Sequence, residues 1–478
     1  MLARAGSLLG LLTVLAGCKF DPGGLARPGG DDAGPFPMEK DANADTDLGG
    51  DASSDAPTAD GGALDGAWDS GNRWDARSDA PPPDAPPADV RPAVDAPPEM
   101  PDAAPPDGPP GCEPWPIAAT NFKPCDEDVP VPTSSLELLA AGTYRYDTVE
   151  GVLTAPSGQP STPPTTTIEQ PLGIKARLLV VKNLHVAQAA VLKIEGSLPF
   201  ILAVHGTASV AGTIDTSATG EMQGAPGGDM PEFCMDSGGH DGEKGSSSAG
   251  GGGGGGGAFG EVGSRGGDGH GSGSGNGGQG GGKAQDLDLS PLRGGCVGGD
   301  GGDATESRVG GDGGPAGGAV QISASSAITV TGTIKAAGAG GKGGIGGAWA
   351  ISGGAGGGGG GSGGAIFLEA PSVTVAEGAR LCANGGSGGE GSVGSASGND
   401  GTPGSCSATT GATTSRSAIM GGGDGGFGGY GAKAGGGEGD NGSMSGGGGA
   451  GGGSVGRIRI RATKTASVHP GAVLSPGL

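Results

Sequence analysis

Seven cysteines hold most of the side-chain chemistry that this sequence offers. Cys18 closes a short apolar N-terminal run with Leu15-Ala16-Gly17-Cys18. The other six fall into sequential neighbours: Cys112 with Cys125, Cys234 with Cys296, and Cys382 with Cys406. Six thiols leave many connectivities open, of which the sequential one is the most economical. Metal ligation is the competing use, but no two cysteines are separated by two residues and none has a histidine at ligand spacing. Disulfides formed in an oxidising compartment are therefore expected, and no metal or other cofactor.

Other candidate groups are sparse. Five histidines, His185, His205, His240, His270 and His469, include no pair at the spacing of a helical zinc motif. His185 and His205 sit at alternate positions of strand-like segments, which places them on a solvent face. Gly360-Gly361-Ser362-Gly363-Gly364 and Gly385-Gly386-Ser387-Gly388-Gly389 match the nucleophile-elbow pattern, which needs a strand-to-helix turn to raise the serine. No helical pattern follows either serine. Matches to Gly-x-Gly-x-x-Gly are numerous, none opens a helix, and no Lys-Ser or Lys-Thr completes a phosphate loop.

Two acidic stretches approach calcium loops, which need several oxygens converging on one cation. In the first, Asp41, Asn43, Asp45, Asp47 and Asp51 alternate, but Thr46 stands where glycine is needed and Ala52 replaces the closing glutamate. In the second, Gly298-Gly299-Asp300-Gly301-Gly302-Asp303, Thr305 takes the place of an aliphatic residue and no tandem copy follows. Both read as solvated acidic sequence.

Before Cys18, one positive charge, Arg4, precedes an apolar stretch from Leu8 to Ala16 interrupted only by Gly10 and Thr13. That is signal-peptide architecture. A spanning helix needs about 20 apolar residues, whereas Lys19, Phe20, Asp21 and Pro22 follow at once. The segment resembles a bacterial lipoprotein signal peptide. The resemblance implies cleavage before Cys18, acylation of that cysteine with fatty acid such as palmitate, and a membrane partner reached through the N-terminal lipid. Lys19 rather than Asp after the cysteine implies, under the enteric sorting rule, the outer membrane. The expected location is the cell envelope, at the outer membrane or cell surface, lipid-anchored.

The net charge is −24, and between Lys19 and Gly111 stand 20 acidic against 6 basic side chains. Asp-Ala and Pro-Pro repeats fill this stretch, as in Asp79-Ala80-Pro81-Pro82-Pro83-Asp84-Ala85. It has too few large apolar groups to offset the entropy of ordering, and its charges repel one another, so it is expected to be a disordered, extended tether. At about 3 Å per residue it can hold a folded head on the order of a hundred ångströms or more from the membrane. The composition resembles the Asp-Ala-Pro tethers of myxobacterial surface lipoproteins. So acidic a balance excludes nucleic acid as a partner and electrostatic binding to an anionic membrane.

The expected division is therefore a signal peptide at 1–17, a tether at 18–111, a cysteine-containing cap or lead-in at 112–177, and a repetitive head at 178–478. In the head, short segments alternate with period two, which means strands. One phrase recurs. Ala324 and Gly332 are eight residues apart between apolar runs, as are Ala370 and Gly378, and Val204 and Gly212, whereas the Ala462–Gly471 copy is one residue longer. A unit of roughly 20 residues with three short strands cannot bury its own apolar face and must stack on copies of itself. The pattern resembles right-handed parallel β-helices. The expected fold is all-β, a right-handed parallel β-helix or solenoid with glycine-rich insertions at about 236–316, 338–364 and 384–456, and a β-sandwich is the alternative.

Glycine accounts for 116 of 478 residues. The tracts begin at the same place in the phrase, after Ile214, Ile334 and Leu381, so they must leave one corner and lie side by side. Free, they would be flexible loops. Ordered, the Gly-Gly-X period of Gly340-Gly341-Lys342-Gly343-Gly344-Ile345 would form extended left-handed helices bonded sideways, a polyglycine II bundle. The composition also resembles mycobacterial PE-PGRS proteins, but the Pro-Glu helical domain that defines them is absent and no functional residue carries over.

Two classes of function fit. One is an exported, lipid-anchored, non-enzymatic surface protein with a structural or adhesive display role, meeting extracellular polysaccharide or another cell surface. The other is a polysaccharide-binding or polysaccharide-cleaving enzyme, which would need carboxylates and basic residues gathered on one exposed wall. The strand phrases offer Ser, Thr, Ala and scattered charges such as Glu369 and Lys335, with no paired-carboxylate phrase.

Overall fold

Alternating apolar residues in the recurring phrases build three aliphatic ladders, and these ladders organise the described part of the protein. The computed structural model describes residues 115–126, 128–220, 225–246, 248–284, 288–304, 307–347, 353–414 and 421–478. The signal-peptide and tether expectations, with Cys18 and Cys112, lie outside the described residues.

Five strands open the described chain: β1 (Leu136–Leu138), β2 (Gly142–Asp147), β3 (Val152–Thr154), β4 (Pro160–Ser161) and β5 (Thr165–Glu169). Two sets of three follow, β6 (Lys175–Val181), β7 (Leu184–Val186) and β8 (Ala190–Glu195), then β9 (Phe200–Val204), β10 (Thr207–Val210) and β11 (Thr213–Asp215). After a glycine-rich tract come β12 (Ala319–Ala324), β13 (Ala327–Val330) and β14 (Thr333–Lys335). A second tract precedes β15 (Ala365–Val375) and β16 (Arg380–Cys382), and a third precedes β17 (Arg457–Val468) and β18 (Val473–Ser475).

Copies of the phrase lie beside one another in parallel. Leu202, Ile322, Leu368 and Ile460 are successive register partners. So are Val186, Val210, Val330, Val375 and Val468. The third ladder is Leu192, Ile214, Ile334, Leu381 and Leu474. All three converge on one core. Each fully buried aliphatic side chain contributes roughly 1.5–3 kcal/mol, so the ladders are the main apolar source of stability in the sheets. The extra residue of the longest copy is a bulge, where Ala370 pairs Ala462 but Ser372 pairs Thr465. Gly212 and Gly332 stack at one corner, where a Cβ on Gly332 would strike the Gly212 carbonyl.

The expected right-handed parallel β-helix is nevertheless overturned. The strands form two mixed parallel and antiparallel sheets, one of ten strands and one of eight, and one curls into a half-barrel. Antiparallel ladders join β2 to β3, β3 to β4, and β5 to β6. The physical reason lies in the lead-in. Positive-φ residues turn the chain back on itself there, Gly151 and Gly158 in the β2–β3–β4 hairpins of the eight-stranded sheet and Leu172 and Gly173 between β5 and β6 of the ten-stranded one, so hairpins are laid onto both sheets. Recurrence specifies which residues are neighbours between copies; it does not specify how the first strands close the array.

The described residues of the glycine tracts are ordered. They leave from β11, β14 and β16, adjacent strands of the eight-stranded sheet, and return into β12, β15 and β17, adjacent in the ten-stranded one. Within them, backbone hydrogen bonds run sideways with period three. Gly251, Gly254 and Gly257 donate to the carbonyls of Gly354, Gly357 and Gly360; Gly250, Gly253 and Gly256 to His270, Gly267 and Ser264; Gly252, Gly255 and Ala258 to Glu243, His240 and Ser237. The same segment accepts from 275–281, 299–302 and 448–454, which gives it six neighbours. Three residues per turn is the period of an extended helix, and only with every side chain removed can such helices approach this closely. Parallel and antiparallel neighbours both occur.

At the periphery the Gly-Gly-X triplet acquires a reason. Gly275, Gly278 and Gly281 abut 237–243, Gly277 and Gly280 abut 263–266, and Asn276 and Gln279 point outward and are exposed. Outward carboxylates then cap amides that have no further neighbour: Asp300 Oδ1 accepts from Gly313 N at 2.8 Å, Asp303 Oδ1 from Gly310 N at 2.9 Å and Asp400 Oδ1 from Gly343 N at 2.9 Å.

A Cβ at Gly254 would enter the Gly299 carbonyl, whereas one at Gly477 meets nothing within 4 Å. Gly254→Ala is expected to cost about 1–3 kcal/mol by overpacking, and Gly477→Ala to stay within about 0.5 kcal/mol of the parent. Urea unfolding of the two variants checks this.

Candidate functional site

The outward face of the eight-stranded sheet carries a charged row. Arg145 of β2, Lys193 of β8, Asp215 of β11 and Lys335 of β14 are successive register partners, and Asp147 and Glu195 pair one step further along. Strand alternation places them there: Tyr146, Leu192 and Ile194 point to the core, so their neighbours point away.

Asp215 is the electrostatic centre of the row. Its Oδ1 lies 3.5 Å from Lys193 Nζ and its Oδ2 3.0 Å from Lys335 Nζ, and Ser217 N donates to Oδ1 at 2.9 Å. Burial would raise its pKa, but Lys193, Lys335 and the Ser217 amide outweigh burial and hold it below the ordinary carboxylate range. Burial acts on Lys193 in the opposite sense and lowers its pKa, more than Asp215 restores it. Lys193 Nζ also donates to the Ser217 carbonyl at 2.6 Å.

Beside this row a cleft of about 580 Å³ opens between β2, β8 and the glycine bundle. Arg145, Asp147, Lys193, Glu195, Thr219 and Lys342, with Ser217, supply its polar lining. Arg145 pairs with Glu195, and Lys342 Nζ lies 2.9 Å from Asp400. Asp147 Oδ1 accepts from Val149 N at 2.7 Å and Glu150 N at 3.0 Å. Sequence reasoning missed this site. Its signal was the charged–apolar–charged phrase that occurs twice, Arg145-Tyr146-Asp147 and Lys193-Ile194-Glu195.

Glu369 is no scattered surface charge. It is wholly buried on the outer face of the ten-stranded sheet, beneath residues 115–122. Its carboxylate accepts from Thr120 N at 2.9 Å, Thr120 Oγ1 at 2.9 Å, Gln321 Nε2 at 3.0 Å and Ser323 Oγ at 2.6 Å, and Arg461 Nη1 lies at 3.4 Å. Phe122 and Val129 pack beside it onto Leu178, Ile201 and Phe367. The lead-in is thus clasped to the sheet by one carboxylate and an apolar patch. A buried charge with this many donors is satisfied, not poised for chemistry.

Disulfides join Cys234 to Cys296 and Cys382 to Cys406, as the sequential pairing has it. Cys125 is also disulfide-bonded, and Cys112, the partner expected for it, lies outside the described residues. Ser362 and Ser387 are buried in the bundle. Ser362 Oγ accepts from Cys296 N at 2.8 Å and Ser387 Oγ from Thr402 N at 2.8 Å, so each substitutes for a carbonyl in the sideways bonding. The solvent-face reading of His205 is corrected: it is half-buried under Trp115, whose ring stands edge-on at 5.2 Å, and its Nε2 has no hydrogen-bond partner among the described residues. Burial lowers its pKa. His270 Nδ1 and His469 Nδ1 accept from the amides of Ser445 and Gly471, at 3.1 and 3.0 Å. His185 pairs in register with Glu137 and Ser209. Among the described residues no group of three or more His, Cys, Asp or Glu side chains is placed to hold a metal ion.

Comparison with family models, curated proteins and solved structures finds no match.

Asp229, at the base of the bundle, accepts from Ala316 N at 3.2 Å and from the Val297 amide, yet burial pushes its pKa from 3.8 up to about 6. Between those values the folded protein binds more protons than the unfolded chain, so stability is full below about pH 4 and falls as pH rises through about 6. In Asp229→Asn this decline is expected to vanish, read as the unfolding midpoint against pH. Glu369→Ala leaves several donors buried without a partner, at about 1–3 kcal/mol each. It is expected to lower the urea midpoint and to speed proteolysis within 112–130, measured by mass spectrometry.

Proposed function

We propose that this chain is an exported, lipid-anchored, non-enzymatic protein of the cell surface whose head has a structural or adhesive display role. The observation that carries the reading is where the reactive side chains sit. Ser362 and Ser387 serve backbone amides, Glu369 serves a clasp, and Asp215 is held between two lysines. Each is spent on holding the head together. A bundle of backbone hydrogen bonds without interlocking side chains suits a rigid projection more than a site that must rearrange during turnover.

Leu15-Ala16-Gly17-Cys18 supports the lipid anchor, and the acidic, proline-rich segment from Lys19 to Gly111 supports presentation of the head away from the membrane. Export agrees with the disulfides at Cys234–Cys296 and Cys382–Cys406, which persist in oxidising compartments.

Mass spectrometry of the detergent-extracted protein is expected to find an N-terminal peptide beginning at acylated Cys18, and Cys18→Ser is expected to release the protein from the membrane fraction. An unmodified Cys18 or an unchanged distribution of the variant would overturn the anchor. External protease on intact cells is expected to remove the head, and a protected head would overturn surface display.

A further inference from the structure

We infer that the cleft between β2, β8 and the bundle is a binding site for a neutral, hydroxyl-rich saccharide chain. The inference deepens the display reading, since it requires a head that meets extracellular polymers. Charge selects the ligand class. The protein carries a net −24, yet among the described residues the charges at and beside this cleft balance: Arg145, Lys193, Lys335 and Lys342 stand against Asp147, Glu195, Asp215 and Asp400. A site without a surplus of either sign has no electrostatic draw on an anionic or cationic ligand.

Unused hydrogen-bonding capacity selects within the neutral ligands. The Arg145 side chain is 60% exposed and that of Glu195 39%, so the pair keeps free donors and acceptors at the cleft surface. Asp147 spends only Oδ1 on the turn amides, and its other oxygen has no partner among the described residues. Thr219 lines the same space, and its hydroxyl has no partner among the described residues. A sugar hydroxyl donates and accepts at once, so it can bridge a carboxylate oxygen and a guanidinium N–H that already lie side by side. Because ion pairing and the turn already hold these side chains, little rotamer entropy is lost on binding.

The rim is kept open by backbone. Gly196 has φ +101°, and a Cβ there would strike Thr148 Oγ1 beside Asp147. The volume of about 580 Å³ lies within the range of ligand clefts, about 300–1,000 Å³. Among the described residues no aromatic ring lines the cleft, so binding rests mainly on polar contacts and single-site affinity is weak. Many copies on one surface convert weak contacts into firm attachment.

The test uses the full chain in detergent micelles and saturation-transfer NMR with maltoheptaose, cellohexaose and laminarihexaose, and with polygalacturonate as the anionic comparator. At least one neutral oligosaccharide is expected to receive saturation. Binding is expected to weaken by about tenfold or more in the Arg145→Gln/Glu195→Gln variant and to weaken in Thr219→Val, the loss of one or two charge-assisted hydrogen bonds. Both variants change surface positions, and their unfolding midpoints are expected to match the parent. Transfer to none of the neutral probes, equal transfer in parent and both variants, or tighter binding of polygalacturonate would each overturn the inference. Acylation at Cys18 and exposure to protease are read separately, so the anchor and display readings can fail while saccharide binding stands, and the reverse.

Discussion

The structure depends on one constraint: backbone amides in the glycine tracts must find carbonyls on laterally adjacent segments, and a single Cβ blocks the approach. In an ordinary domain a helix or sheet satisfies its amides within one or two directions. Here the segment 250–258 distributes donors and acceptors over six neighbours, so polar satisfaction and close packing become the same requirement. Glycine loses more conformational entropy on ordering than any other residue. The tracts offset that loss chiefly with dense backbone hydrogen bonding, joined by a few buried side chains such as Ser362 and Ser387.

The sheets provide what the bundle lacks. Three aliphatic ladders give a core with conventional apolar burial, and they fix the spacing between β11, β14 and β16, from which the tracts depart. Because neighbouring strands lie about 4.8 Å apart, the tracts leave at the separation that lateral bonding between extended chains requires. One disulfide works at the same junction. Cys382 ends β16, so its link to Cys406 ties the third tract to the sheet, while Cys234–Cys296 closes the first tract on itself between β11 and β12.

Much of this was legible in the sequence, and the limits have physical causes. The eight-residue spacing identified which phrases are neighbours, down to the extra residue that became a bulge, and the sequential cysteine pairing holds at Cys234–Cys296 and Cys382–Cys406. The enclosing architecture did not follow, because hairpins set by Gly151, Gly158 and the Leu172-Gly173 turn depend on backbone conformation that a period-two pattern does not encode. The order of the tracts was undecidable from glycine content alone, since the same composition serves a flexible linker; the outward X positions were the signal, and they acquire meaning only once neighbours are present. The cleft was hidden because its charges come from strands β2 and β8, some fifty residues apart, and become one site only through register. Glu369 was misjudged for a related reason: it alternates outward, and what buries it is the lead-in folded over that face.

The threefold bonding of the bundle also governs how such a chain can change length. Adding or deleting a whole triplet slides a tract by one turn and keeps its backbone amides in phase with lateral carbonyls, while a change of one or two residues rotates the outward positions into the interior. Backbone bonding in the bundle therefore tolerates a change of tract length in steps of three better than in steps of one or two.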